Sequence, residues 1–328
     1  MASSFAEPAP PGQERTYPQP TKSGKVAFRC ASSGVECETA YYIYGDLSSG
    51  RTPLVGVHGG PGAGHSYLRP LSLLWVDYKI PVVLYDQVGC GASTHFKGTK
   101  GDTELWKPEL FMNEFENLMS KLEITQYDWL GQSWGGMLGG QFAIERQPKC
   151  MRKLIISNSP SDMKVWVQAA QKLRAKLPQD VQETLTRCEK ERKTDTEEYQ
   201  QAVMAYYDRH VCRTIPRPAE YTETLECLEN AMEVYETMNG PSEFFVTGSF
   251  KDWSITNLLH KVTKETCPGG LLVLNGYYDE AQDETCEPFF TKPTCRTKWK
   301  SYALSSHLTT LEETERYVKD VGAFLLSD

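Results

Sequence analysis

The segment Gly131-Gln132-Ser133-Trp134-Gly135-Gly136 sets a serine between glycines two residues before and two residues after it. A serine that performs acyl transfer must project its hydroxyl from a tight turn between a strand and a helix. Glycines at those two spacings leave room where strand and helix cross. The apolar run at 127–130 reads as the strand, and residues 137–146 read as the helix. Ser133 is therefore the candidate nucleophile; the alternative is a glycine-rich helix entry with a solvent-facing serine. A serine hydroxyl is a weak nucleophile until a base takes its proton. In this setting the acid and the histidine follow the serine along the chain. Of the six histidines, only His307 follows a late strand-like run and precedes the last helix. His58 ends a strand beside glycines and reads as a structural hydrogen bonder. His65 and His95 fall in loops, and His210 and His260 fall in a polar insertion. The acid should leave the preceding strand, and Asp279 does so directly after the run at 272–275. It would orient the imidazole and stabilise its cation. Glu280 and Asp283 compete for that role, with Asp283 reading as an exposed loop carboxylate.

A second glycine cluster, His58-Gly59-Gly60-Pro61-Gly62, follows the apolar run at 53–57. Tetrahedral intermediates of acyl transfer need N–H donors aimed at the developing oxyanion. One comes from an early loop of this kind and one from the residue after the nucleophile. The backbone N–H groups of Gly60 and Trp134 are the candidates; the alternative is a turn that holds no ligand.

The elements that would position these groups can be read from the hydrophobic pattern. Short apolar runs at 26–30, 40–47, 53–58, 81–86, 127–130 and 153–157 mostly lack strict alternation. Such runs suit strands covered on both faces. Between the later ones lie helical patterns, notably 108–122, which starts on Pro108 and carries an apolar stripe through Leu110, Phe111, Phe115, Leu118 and Leu122. Strands alternating with helices predict an α/β class with a mostly parallel sheet. The texture changes after Pro160: residues 161–261 are polar and helix-like, with one β-type run at 244–247. Strand-like runs return at 270–275 and 299–304, and 311–326 reads as a closing helix. The expected organisation is a flexible tail at 1–22, a core at 23–160, a helical cap at 161–261 and the rest of the core at 262–328. A separate helical domain is the alternative for the insertion.

The net charge of −8 argues against nucleic acid as the main partner, because phosphate binding needs a basic surface. The ten cysteines show no CxxC pair or metal-ligand spacing, so no metal is expected. The start of the chain reads as a proline-rich tail rather than a signal peptide, and the expected setting is a reducing cytoplasm. No segment reaches the about 18 apolar residues of a membrane span, so no membrane partner is expected.

With these motifs in place, the sequence resembles the proline iminopeptidase family of α/β-hydrolases from about residue 26 to the end. The resemblance rests on HGGPG at 58–62, YDQVGCGAS at 85–93, GQSWGG at 131–136, YDE at 278–280, and, in the insertion, MNGPSEF at 238–244 and KDW at 251–253. The insertion looks most like the tricorn-interacting aminopeptidase branch. The resemblance implies an α/β-hydrolase fold, a helical cap, and removal of N-terminal residues from small peptides or amino-acid amides without a cofactor. In that branch two glutamates bind the substrate ammonium, and they fall on Glu243 and Glu280. An α-ammonium lies one carbon from the carbonyl under attack, so a carboxylate adjacent to Asp279 is within reach of it. The alternative is that Glu243 caps a helix and Glu280 is solvated. Two departures concern the pocket: Val88 stands where many relatives carry Arg or Phe, and the 253–270 connection is longer. Cys90, in a family loop, reads as a packing residue. Two further functions stay open: an esterase or amidase of a specialised metabolite using the same residues, and a non-enzymatic receptor on the same scaffold.

Overall fold

The computed structural model describes residues 7–30 and 34–327. Eight strands form one sheet: β1 (Lys22–Arg29), β2 (Glu36–Tyr44), β3 (Leu54–Val57), β4 (Val82–Asp86), β5 (Tyr127–Gln132), β6 (Met151–Ser157), β7 (Leu271–Gly276) and β8 (Thr297–Tyr302). Their spatial order is β1-β2-β4-β3-β5-β6-β7-β8. β1 with β2 and β2 with β4 pair antiparallel, and every later pairing is parallel. Helices α1 (Leu73–Tyr78), α2 (Pro108–Lys121) and α3 (Trp134–Arg146) alternate with the strands. Then α4 (Met163–Arg174), α5 (Gln179–Glu191), α6 (Glu197–His210), α7 (Ala219–Asn230) and α8 (Met232–Met238) run between β6 and β7. The chain closes with α9 (Asp283–Thr291), α10 (Thr309–Glu312) and α11 (Thr314–Leu326).

The continuous apolar strands have a physical cause. Side chains alternate across a strand, and here both faces are covered. Val55, Val83, Trp129, Ile156 and Val273 join the core beneath α2, α3 and α9. Leu54, Leu84, Leu130, Ile155 and Leu274 join a second core beneath α1 and α11. The insertion has a core of its own, built on Leu173, Leu185, Tyr199, Tyr206 and Phe244. It opens on Asp162, whose carboxylate accepts from Lys164 N at 2.8 Å and Val165 N at 3.1 Å to cap α4.

Some expectations are corrected. The run at 244–247 is not a strand; it lies in a turn closed by a single bridge between Ser242 and Phe245. Phe244 and the half-buried Phe245 join the insertion's core instead, and Val246 packs against the core beneath α2, α3 and α9. β1 starts four residues before the expected 26, because its first half is polar and exposed and leaves no hydrophobic trace. Residues 7–21, expected within a flexible tail, are bonded to the body. Gly12 N donates to Glu312 O at 2.8 Å, and Arg15 pairs with Asp77 at 2.8 Å and Glu315 at 2.7 Å. Residues 1–6 of that expected tail lie outside the described residues.

One core residue sets a pH dependence. Glu114 on α2 is fully buried, accepting from Thr39 Oγ1 at 2.6 Å and Val88 N at 2.9 Å. Burial, with a further push from the Asp86 charge, raises its carboxyl to about 8. A raised folded-state pKa means the native chain holds a proton that the unfolded chain releases near 4.5. Its contribution to stability is present at low pH and lost as pH climbs through that window. In thermal denaturation, the Tm of Glu114→Gln minus that of the parent should become more positive between about pH 5 and pH 8. A pH-independent difference would show that Glu114 is not the titrating group.

Candidate active site

β5 ends and α3 begins on either side of Ser133, which takes φ 54° and ψ −122°. A non-glycine residue pays strain there. The flanking glycines are required by contact. A Cβ on Gly131 would sit 2.0 Å from Gly135 O, and one on Gly135 would sit 2.0 Å from Val57 O. The early glycine loop presses on the same point: a Cβ on Gly59 would lie 2.9 Å from Ser133 Cβ. Gly60, at φ 105°, lines the same cavity as Ser133, and Trp134 follows the serine as the first residue of α3. Helix-initial N–H groups have no partner inside their own helix, so Trp134 N–H sits at a position suited to an anion.

His307 lies in the loop after β8, and His307 Nδ1 donates to Asp279 Oδ1 at 2.7 Å. That leaves Nε2 for the cavity, which Ser133 and His307 both line. Asp279 is wholly buried, with Ala281 N donating to Oδ1 at 2.8 Å, Asn158 Nδ2 to Oδ2 at 2.6 Å and Gly276 N to Oδ2 at 3.3 Å. The competitor Asp283 is exposed at the start of α9 and accepts from Asn275 Nδ2 at 2.8 Å.

Glu243 and Glu280 line the same cavity. Tyr235 OH donates to Glu243 Oε1 at 2.6 Å. Glu280 is buried; neither of its carboxylate oxygens makes a well-formed hydrogen bond among the described residues, though Tyr206 lies near enough to favour its ionised form. Its Oε1 stands 3.9 Å from His307 Nε2. Burial, then the charges of Glu243 and Asp279, push Glu280 well above the usual carboxylate range. Burial also raises Glu243, against the opposing pull of Tyr235 and His307. The alternative of a solvated Glu280 is thereby set aside. A cation bound between two carboxyls held this way would favour their ionised forms.

Several positioning residues escaped the sequence reading. Gly59 N donates to Tyr67 OH at 2.7 Å, Tyr67 OH to Gln132 Oε1 at 2.6 Å, and Gln132 Nε2 to His307 O at 3.0 Å. This chain of bonds fixes the glycine loop, the serine turn and the histidine loop relative to one another. His210 carbonyl accepts from both Glu280 N at 3.3 Å and His307 N at 3.2 Å, so α6 holds the acid and base loops together. Asn158 sits just beyond β6 at φ 53°. Polar residues closing an apolar strand at the carboxyl edge of a parallel sheet were the available signal for Asn158, since ligand sites form there. His58 is buried, accepts from Gln87 N at 3.0 Å and is lowered by burial to about 4. Cys90 does not line the Ser133 cavity; burial raises its thiol well above the usual range, and it donates to Gln87 O at 3.3 Å. Among the described residues no group of three His, Cys, Asp or Glu could hold a metal ion, and no helix is long and apolar enough to cross a membrane.

A mostly parallel sheet with helices on both faces, a strained serine after its fifth strand, and a later acid and histidine together define an α/β-hydrolase fold. A family model described as alpha/beta hydrolase fold matches residues 52–257. A proline iminopeptidase of Heyndrickxia coagulans is 34% identical over 282 residues, covering 86% of this chain and 93% of that protein. The crystal structure of proline iminopeptidase from Mycobacterium smegmatis is 37% identical with a TM-score of 0.79, covering 92% of this chain and 97% of that one. The crystal structure of VinJ is 42% identical with a TM-score of 0.85, covering 93% and 98%. The chain belongs to the proline iminopeptidase family of α/β hydrolases.

Proposed function

We infer that this chain is a serine hydrolase that releases N-terminal amino acids, proline among them, from small peptides or amino-acid amides. The observation that carries the reading is the buried Glu280 carboxyl in one cavity with Glu243, Ser133 and His307. A pair of buried carboxyls with no lysine or arginine beside it among the described residues, next to the candidate nucleophile, suits a substrate whose cation lies next to its reacting carbonyl.

Ser133 Oγ attacks that carbonyl while His307 Nε2 takes the hydroxyl proton. Asp279 stabilises the imidazolium, and the N–H groups of Gly60 and Trp134 hold the oxyanion. The C–N bond breaks as His307 returns the proton to the leaving amine, and the acyl group stays on Ser133. Water then gives a proton to His307 as it attacks the ester carbonyl; the bond to Ser133 Oγ breaks, His307 returns that proton to Oγ, and the free amino acid leaves. The helical residues 161–261 act as a cap, since Tyr207, Tyr221, Tyr235 and Glu243 all come from that segment to the cavity. A reducing, cytoplasmic setting suits a chain with ten cysteines.

The test is a pair of aminoacyl anilides, one with a free amine and one N-acetylated. Acetylation should lower kcat/KM by about a hundredfold or more, because it removes the cation and leaves two buried carboxylates unrelieved. Equal turnover would sink the amine reading and favour a general esterase or amidase. The pH profile adds a second readout. The clamp must ionise to hold an ammonium, so kcat/KM should rise with pH above the ordinary carboxylate range. Glu280→Gln removes the repulsion on Glu243 and should raise KM and move that rising limb to lower pH. An unmoved limb would exclude the pair as its origin.

A further inference from the structure

The cavity beside Ser133 is small, about 60 Å³, and the two glutamates form only part of its lining. One wall of it is a single face of α7. Tyr221, Thr224, Leu225 and Leu228 stand at i, i+3, i+4 and i+7, the spacing that aligns residues on one side of a helix. Val211 and Leu308 continue the wall, with Leu308 N donating to Val211 O at 2.9 Å. The charge on α7 points elsewhere. None of its four glutamates lines the cavity; Glu223 pairs with Arg69, and Glu226 borders an outer groove. No lysine or arginine lines the cavity either.

His307 thus stands between two unlike walls. Glu280 lies 3.9 Å from its Nε2, and Leu308 follows it in the chain on the apolar side. The reading under "Proposed function" assigns the acidic wall to the substrate ammonium. The imidazole must also hand its proton to the departing nitrogen, so the leaving group lies against His307 on the side that remains. That side contains no cation to pair with a carboxylate, and a buried unpaired carboxylate is strongly disfavoured. It also contains an unused polar group. Tyr221 is 1% exposed, and its hydroxyl has no hydrogen-bond partner among the described residues.

We propose that α7, with Val211 and Leu308, forms the leaving-group subsite. It selects amides whose amine portion is uncharged and apolar and carries one hydrogen-bonding atom for Tyr221 OH, and it disfavours dipeptides ending in a free carboxylate. The proposal rests on the aminopeptidase reading and narrows it to a substrate class.

The experiment measures kcat/KM for three substrates sharing one N-terminal residue: a dipeptide with a free carboxylate, the same dipeptide as its C-terminal amide, and a long-chain N-alkyl amide. The two neutral substrates should exceed the free dipeptide by about tenfold or more. Leu228→Lys places a cation on the half-buried edge of the wall and should narrow or reverse that ratio. Leu225→Lys is the independent second variant, and circular dichroism reports whether each is folded. If either variant fails to fold, the parent's ratio decides alone. Equal turnover of all three substrates, with the N-acetylated anilide still poor, would overturn the subsite and leave the aminopeptidase reading standing. Equal turnover of free and acetylated anilides would overturn that reading itself.

Discussion

Ser133→Ala is expected to lower kcat by about a millionfold, the scale seen when a nucleophile acting with a base is deleted from a serine hydrolase. The remaining rate would come from the N–H groups of Gly60 and Trp134 and from substrate binding. The variant should also lose its burst of product with an activated substrate and its labelling by a fluorophosphonate, because both require an oxygen that can be acylated. Loss of fold would not account for the result. Alanine inherits the φ 54° and ψ −122° of the turn with no larger side chain than serine. The strain itself gives a control. Ser133→Gly removes the same oxygen but adopts that conformation freely, so it should be equally inactive and melt at a higher temperature than Ser133→Ala. Full activity in either variant would remove Ser133 from the chemistry.

Asp279→Asn should lower kcat by about ten-thousandfold with little change in KM. The reason is a count of donors. His307 Nδ1 and Ala281 N both point at Oδ1, while Asn158 Nδ2 and Gly276 N both point at Oδ2. A carboxylate accepts all four; an amide presents one acceptor and one donor. Turned one way, the new NH2 faces Ala281 N–H and makes His307 Nδ1 an acceptor, which moves the ring proton to Nε2 and disables the base. Turned the other way, it faces Asn158 and Gly276. The same argument predicts that Asn158→Ala weakens the alignment of Asp279 without abolishing it. Steady-state kinetics on an aminoacyl anilide decides: a KM effect without a kcat effect would make Asp279 a binding residue instead.

The legible part of this protein is the part encoded by neighbours. Gly131 and Gly135 bracket Ser133 because any Cβ there would strike backbone within the same strand–turn–helix unit, or in the strand beside it. That requirement is visible in six consecutive residues. The buried parallel strands are legible for a similar reason, since covering both faces leaves an unbroken apolar run. The polar start of β1 was illegible because its residues are exposed and are held mainly by the backbone ladder to β2. The β-like run at 244–247 misled because a buried aromatic such as Phe244 is needed equally by a strand and by the core of a helical segment.

What the sequence by itself proposed was the identity and order of the candidate reacting groups: Ser133, then Asp279, then His307, with a glycine loop before them and two glutamates to which the family resemblance pointed. Tertiary structure alone decided how they are held and what surrounds them. Asn158 reaches Asp279 across 121 residues, and Gln132 reaches His307 across 175. Bonds between such distant side chains leave no period or spacing in the chain. The same holds for the burial that leaves Glu280 without a well-formed hydrogen bond, and for the turn of α7 that sends its leucines to the cavity and its glutamates to the surface. Local sequence specifies turns and faces; only the packed fold sets which faces meet.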